Sequence, residues 1–213
     1  ALRLGPEVEA WLLAGEGPDD GAVVAWSRGR VGDDDRTVAV RLGSGAVTRV
    51  GARGGRTAVP RDVRGRHEMR LGPAPAFFEG VDLDLLRFRA ALAIAPEEVP
   101  AVYRAHELEL VMSNPWDVAI AGLVELGEDD TRRIRPHRVA FTLQPGETQR
   151  TPITVVFDRT IAAGEQRVPA TVTVESVETE RFVVDLPVEV GWKDVEVGAT
   201  WRISVDDATG RRD

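Results

Sequence analysis

A strict alternation of apolar and polar residues runs through most of this chain. Clear examples are HELELVM at 106–112, RVAFTL at 138–143 and RFVVDLPVEV at 181–190. A period of two places every second side chain on one face of a β-strand. Clusters of turn-forming residues, such as QPGETQ at 144–149, separate the alternating runs. The sequence therefore predicts an all-β fold.

The spacing of the runs predicts two consecutive β-sandwich domains. Residues 1–81 contain about six strand-like runs, beginning with VEAWLLA and AVVAWS around a loop rich in Gly, Pro and Asp. Residues 82–197 contain further alternating runs joined by turns, which indicates an immunoglobulin-like sandwich of the usual size of about 100 residues. Residues 198–213 are interpreted as the first strand of a further module or as a C-terminal tail. A chain without an initiator Met is expected to begin inside a longer protein.

The run DLLRFRAALAIAP at 84–96 has two local interpretations. Leu, Arg and Ala favour a helix, whereas the apolar residues from Leu86 to Ile94 recur at a spacing of two, with Arg87 and Arg89 on the opposite side. We predict a strand from this spacing.

Composition excludes several classes of protein. The net charge is −8, from 27 basic and 35 acidic side chains, and the excess acid lies in residues 82–213. An acidic field repels a phosphate backbone, which argues against nucleic-acid binding. The chain has no cysteine, so disulfides and thiolate metal sites are excluded, while the redox compartment stays open. The apolar runs are too short for a membrane span.

No arrangement of residues indicates catalysis, a metal or a cofactor. Acidic clusters at 33–35, 97–98 and 128–130 fall in predicted loops and lack the spacing of a calcium loop. The histidines are isolated from one another, without zinc-ligand spacing: His67, His106 and His137. We therefore expect no enzyme activity, no metal site and no cofactor in these residues.

Two tryptophans are candidates for an exposed binding platform. Trp116 follows Asn114-Pro115 at the start of a predicted strand, where a large ring either stacks on a sugar or closes one end of a sandwich; we predict a core residue. Trp11 has the opposite parity to Val8 and Ala10 and is predicted to face outward. On the paired strand, Trp26 offers a cross-strand aromatic contact.

A basic segment at 49–70 supplies the other candidate binding residues. It contains seven arginines and only two acids. It is interpreted as a site that steers an anionic polymer such as an acidic polysaccharide, as a surface that docks on the acidic second domain, or as a solvated hairpin tip. The candidate binding residues are Trp11, Arg53 and Arg56.

Part of the first domain resembles a known family. The match consists of a strand ending in Trp-Ser, a Gly-rich turn and a closing Leu-Gly-x-x-Pro strand that ends in Gly. This pattern is similar to the C-terminal β-sandwich that follows the barrel of many bacterial glycoside hydrolases. The matching residues are Trp26, Ser27, Leu71, Gly72, Pro75 and Gly80.

The second domain looks like the immunoglobulin-like domains attached to glycosidases and carbohydrate-binding modules, including the α-galactosidase-associated type. The similar stretches are MSNPWDVAIAGLVEL, FTLQPGETQRTPITVVF and FVVDLPVEV. Both resemblances imply a non-catalytic accessory region of a larger extracytoplasmic bacterial protein, secreted or in the cell envelope. They imply an upstream catalytic domain or neighbouring modules as partners. The alternative is a carbohydrate- or protein-binding module that uses an exposed surface of aromatic and arginine side chains, with polysaccharide as a possible partner.

Overall fold

The computed structural model of the protein describes residues 2, 4, 7–15, 21–29, 35–100, 105–158, 160–176 and 179–191. Within these residues the chain forms β-strands and one α-helix. The predicted all-β class, with two consecutive β-sandwiches of which the second is immunoglobulin-like, is confirmed. The predicted strand or tail at 198–213 lies outside the described residues.

The described residues of the first sandwich form seven strands in two sheets. Five strands form one antiparallel sheet, in the order β1-β2-β7-β4-β5, and β3 pairs with β6 in a second sheet. Their alternate side chains meet in one buried core that includes Val23, Met69 and Phe78. The strands are β1 (Val8–Leu13), β2 (Ala22–Ser27), β3 (Arg36–Val40), β4 (Thr48–Val50), β5 (Arg56–Ala58), β6 (His67–Leu71) and β7 (Ala76–Glu79).

The first part of the basic segment forms the hairpin of β4 and β5, and its last residues belong to β6. The Gly51 N–H donates to the Gly55 carbonyl at 2.9 Å, and the Gly54 N–H donates to the Gly51 carbonyl at 2.8 Å. Gly54 has a φ of +79°, which glycine adopts without steric cost. This tight turn brings Arg53 to the tip and Arg56 to the start of the edge strand β5.

The second sandwich follows the helix α1 (Leu83–Ala91). One sheet has the order β12-β14-β10-β8 and the other β13-β11-β15-β16-β9, with β9 parallel to β16. These two sheets form an immunoglobulin-like sandwich in which β13 and β9 extend the second sheet at its two edges. The strands are β8 (Ala93–Ala95), β9 (Glu98–Pro100), β10 (Ala105–Ser113), β11 (Ile120–Leu126), β12 (Arg132–Arg135), β13 (Arg138–Leu143), β14 (Thr148–Phe157), β15 (Gly164–Glu175) and β16 (Thr179–Gly191).

The prediction of a strand through 84–96 is wrong for most of that run. Residues 83–91 are helical, and only Ala93–Ala95 is a strand. Asp82 caps the helix, because its side chain accepts a hydrogen bond from the Leu85 N–H at 2.9 Å. Residues two apart on a helix lie about 200° apart, so Leu86 and Phe88 point to nearly opposite sides. Leu86 lies in the first core and Phe88 in the second.

Trp116 packs against the second core, as predicted. It is partly buried, and its ring centroid lies 5.5 Å from that of Phe88. The buried side chain of Asn114 holds the preceding loop: its Oδ1 accepts from the Trp116 N–H, and its Nδ2 donates to the carbonyls of Val118 and Leu143. Val118 is exposed and lies in the loop before β11 begins.

Candidate functional site

One face of the five-stranded sheet, which we call the outer face, exposes large apolar side chains. The opposite face of the sheet packs on the first core. Trp11 is 49% exposed, Leu13 42% and Phe77 39%. Val24, Trp26 and Val50 lie on the same face and are half-buried. Exposed apolar side chains that are contiguous, rather than scattered singly, mark interaction surfaces.

The strand register places the predicted aromatic binding residue, Trp11, and a predicted basic one, Arg56, in the same row. Trp11 pairs with Val24, Val24 with Phe77, Phe77 with Val50, and Val50 with Arg56. These side chains form a single row across all five strands, because partners in register point to the same face. The row begins at Trp11 on one edge strand and ends at Arg56 on the other.

Ion pairs flank the apolar surface. Arg28 Nε donates to a Glu9 carboxylate oxygen at 2.7 Å beside Trp26, and Arg56 pairs with Glu79. Both pairs are largely exposed, so they add little to folding stability. Each guanidinium and each carboxylate has more hydrogen-bonding positions than its ion pair uses. The remaining donors and acceptors lie at the border of the outer face.

Trp11 and Arg56 therefore lie on the same face of the sheet, but the three predicted binding residues do not form one cluster. Trp11 and Arg56 stand about 19 Å apart across four strand spacings. Arg53 lies exposed at the β4–β5 turn next to Arg56. Trp11 and Trp26 are diagonal neighbours rather than a directly opposed pair, since Glu9 is the partner of Trp26. Sequence reasoning missed Phe77, although its parity opposite to the buried Phe78 was a readable signal.

The junction between the sandwiches is the second notable region. Leu83 and Leu86 of α1 belong to the first core, whereas Leu85 and Phe88 belong to the second. At the helix start, the Asp82 N–H donates to the carbonyl of Leu42 at 2.7 Å. The helix is thus packed into both sandwiches.

A buried ion pair joins the two sandwiches beside this helix. Arg41 Nε lies 2.6 Å from Glu180 Oε2, and their side chains are only 14% and 5% exposed. The two atoms do not meet in hydrogen-bond geometry, so the contact is a charge pair. A buried charge is destabilising without its partner, and the pair consequently favours one relative position of the sandwiches.

Burial at this junction shifts the pKa of two helix residues. Burial raises the pKa of the Asp82 carboxyl, and the nearby charges of Asp84 and Glu180 act in the same direction. Burial also lowers the pKa of Arg89 to about 10, although the charge of Asp185 opposes this shift. The Arg89 guanidinium donates to the Val183 carbonyl at 3.0 Å and lies 5.7 Å from the centroid of the Phe182 ring.

Replacement of Asp82 by asparagine is expected to raise the melting temperature at neutral pH. Asparagine retains the cap oxygen but carries no charge. Because the folded-state pKa of Asp82 is raised, its ionised form opposes folding above that pKa, and this effect disappears as the pH falls below the unfolded value of 3.8. The gain should therefore shrink on acidification in thermal melts.

A matched control is Asp84→Asn on the same helix. Asp84 is in the first turn and pairs with Arg87 at 3.1 Å, so its charge is favourable there. This variant should melt slightly lower than the parent. An Asp82→Asn gain that is independent of pH would contradict the assignment.

A cleft of about 590 Å³ also lies between the sandwiches. Three of the arginines that line it are paired with carboxylates: Arg28 with Glu9, Arg66 with Asp62, and Arg167 with Glu165. Within the described part of the chain, no group of three His, Asp or Glu side chains is placed to share a metal ion. No helix there is long and apolar enough to span a bilayer.

The acidic cluster at 128–130 organises its own turn. Glu128 accepts from the Ile134 N–H at 2.8 Å, and this bond lowers the pKa of its carboxyl. Asp129 accepts from the Thr131 hydroxyl and N–H, which lower its pKa as well. These two carboxylates accept hydrogen bonds from the same turn and from β12, the strand that follows it.

Comparisons with known proteins identify no family. No family model matches the chain, and no curated protein is significantly similar to it. Among solved structures, a PapD-like domain of human CEP192 is 11% identical, with a TM-score of 0.31, over 47% of this chain and 85% of that one. WR4, an MSP family member of C. elegans, is 9% identical, with a TM-score of 0.30, over 47% of this chain and 98% of that one.

A third solved structure is the periplasmic chaperone SfaE. It is 13% identical, with a TM-score of 0.28, over 46% of this chain and 56% of that chain. TM-scores in this range carry no argument about fold or function. The immunoglobulin-like assignment therefore depends on the strand order of the second sandwich itself.

Proposed function

We propose that this chain is a non-catalytic accessory region of a larger extracytoplasmic bacterial protein related to glycosidases. In this role the two sandwiches act as a semi-rigid arm that holds neighbouring domains at a fixed distance and angle. Its partners are an upstream catalytic domain or neighbouring modules of the same chain. The link to glycosidases and to an extracytoplasmic location depends on the sequence resemblance alone.

One observation supports the mechanical role most directly. The helix α1 places Leu83 and Leu86 in one core and Leu85 and Phe88 in the other. A flexible tether between domains is typically Gly- or Ser-rich and makes few contacts. Here a buried helix takes the place of such a tether, and the Arg41–Glu180 pair adds a second connection.

Turnover assays test the non-catalytic assignment. The purified chain is expected to release no product from a panel of α- and β-linked aryl glycosides and polysaccharides. The protein encoded by the complete reading frame should hydrolyse at least one of them through its upstream domain. Turnover by the chain alone, proportional to its concentration and abolished by one carboxylate-to-amide substitution, would refute the proposal.

A second candidate function is a carbohydrate- or protein-binding module. The specific observation in its favour is the outer face, with three exposed large apolar side chains on one side of the five-stranded sheet. The two functions are compatible, because an accessory domain that positions an enzyme also serves it by holding its polymeric substrate.

A further inference from the structure

We propose that the outer face binds an acidic polysaccharide, and that the polymer lies across the strands along the row from Trp11 to Arg56. This inference does not depend on the accessory role; it rests on the second candidate function and names the class of polymer that the outer face would bind. It assigns stacking positions to Trp11 and Phe77 and a carboxylate-binding position to Arg53, which lies beside the Arg56–Glu79 pair.

The shape of the surface favours an extended polymer. Small-molecule ligands are usually bound in concave pockets that enclose most of their surface. The outer face is one side of a continuous sheet, and its exposed aromatic side chains belong to strands rather than to a cleft. A long polysaccharide gains contact area on such a surface because several of its sugar units touch the protein.

The spacing of the aromatic side chains suits sugar rings. Trp11 and Phe77 lie in the same row with Val24 between them. Two strand spacings place their backbones about 10 Å apart. A pyranose ring presents a flat face of C–H groups that packs on the face of an aromatic ring, so two aromatic rings at this separation contact separate sugar units of one chain.

Charge complementarity selects an acidic polymer. Glu9 is neutralised by Arg28, and Glu79 by Arg56. Arg53 is exposed at the adjacent turn and forms no ion pair among the described residues, which leaves a surplus positive charge at this end of the row. A guanidinium binds a carboxylate through two parallel hydrogen bonds.

The whole chain carries a net charge of −8. A protein with this charge repels polyanions at long range. Binding of an acidic polysaccharide must therefore come from a local site, and substitution of a few residues should remove it.

Isothermal titration of the full chain with polygalacturonate, and with a neutral soluble glucan of similar length, tests the proposal. We expect polygalacturonate to bind more tightly than the glucan. Trp11→Ala and Phe77→Ala should each weaken its binding about tenfold, which corresponds to the loss of roughly 1.4 kcal/mol of contact. Arg53→Gln should weaken binding of polygalacturonate only and should reduce its dependence on salt.

The matched control is Val183→Ala, which removes an exposed apolar side chain from the other sandwich; its affinity should equal that of the parent. Thermal melts establish that each variant is folded.

Absence of binding to polygalacturonate overturns the proposal, and so does binding that Trp11→Ala and Phe77→Ala leave unchanged. If both polymers bind with equal affinity and Arg53→Gln has no effect, the proposal that the bound polymer is acidic is wrong. Concentration-dependent dimerisation that Trp11→Ala abolishes identifies the face as a protein interface and also overturns the proposal.

Discussion

Replacement of Phe88 by alanine is expected to lower the free energy of unfolding by about 3–5 kcal/mol. Phe88 is fully buried, and its ring contacts those of Trp116, Phe141 and Phe182 at centroid distances of 5.5, 5.8 and 6.5 Å. The variant loses the apolar burial and these ring contacts and leaves a cavity where the helix enters the second core. Denaturant unfolding followed by tryptophan fluorescence measures the loss.

Phe77→Ala is a matched control for this prediction. It removes the same side chain from the outer face, where Phe77 is 39% exposed. The loss in free energy of unfolding should be clearly smaller than for Phe88→Ala. Phe77 buries less apolar area, and its removal from an open surface leaves no cavity. Equal losses for the two variants would contradict the placement of Phe88 between the helix and the second core.

Removal of one partner of the Arg41–Glu180 pair is expected to lower the free energy of unfolding by about 3–5 kcal/mol. Glu180→Leu leaves the guanidinium of Arg41 buried without its counter-charge. Arg41→Met likewise leaves the carboxylate of Glu180 buried without its counter-charge. The double variant Arg41→Met with Glu180→Leu should recover most of the loss, since it removes both charges from the junction. A double-mutant cycle from chemical unfolding measures this coupling.

The exposed pair of Arg150 and Glu109, at 2.9 Å, provides the comparison. Solvent screens its charges, so either single substitution should change stability by about 0–1 kcal/mol. If Glu180→Leu behaves like Glu109→Leu, the junction is hydrated and the ion pair does not connect the sandwiches.

The sequence predicts most of the strands well because most of them have one buried face. In β6, for example, His67, Met69 and Leu71 alternate with exposed residues, and the same rule holds along β13 and β16. Alternation of this kind is local, and it is readable without knowledge of the partner strand.

The helix α1 was mispredicted because two cores bury it from opposite sides. A helix packed on one core shows apolar residues three and four apart. In α1 the additional apolar residues face a second core, so that Leu86 and Phe88 imitate the spacing of a strand. The readable signals were Asp82 and Asp84 at the start and Arg89 in the last turn, the usual charge pattern of a helix.

The outer face was only partly predictable. Parity identified Trp11 as outward-facing, and composition marked Arg53 and Arg56 as exposed cations. Their alignment with Phe77 depends on the pairing of β7 between β2 and β4, which joins strands that are distant in sequence. Register of that kind is determined by tertiary packing and has no local signal.

A shared helix and a buried ion pair are expected to hold the two sandwiches in one relative position. The chain contains no cysteine, so the variant with Thr57→Cys and Ala140→Cys places one spin label on each sandwich at exposed positions. Double electron–electron resonance should give a single narrow distance distribution for this variant, and a broader one when Glu180→Leu is added. A broad distribution in the parent, equal to that of the Glu180→Leu variant, would contradict the claim.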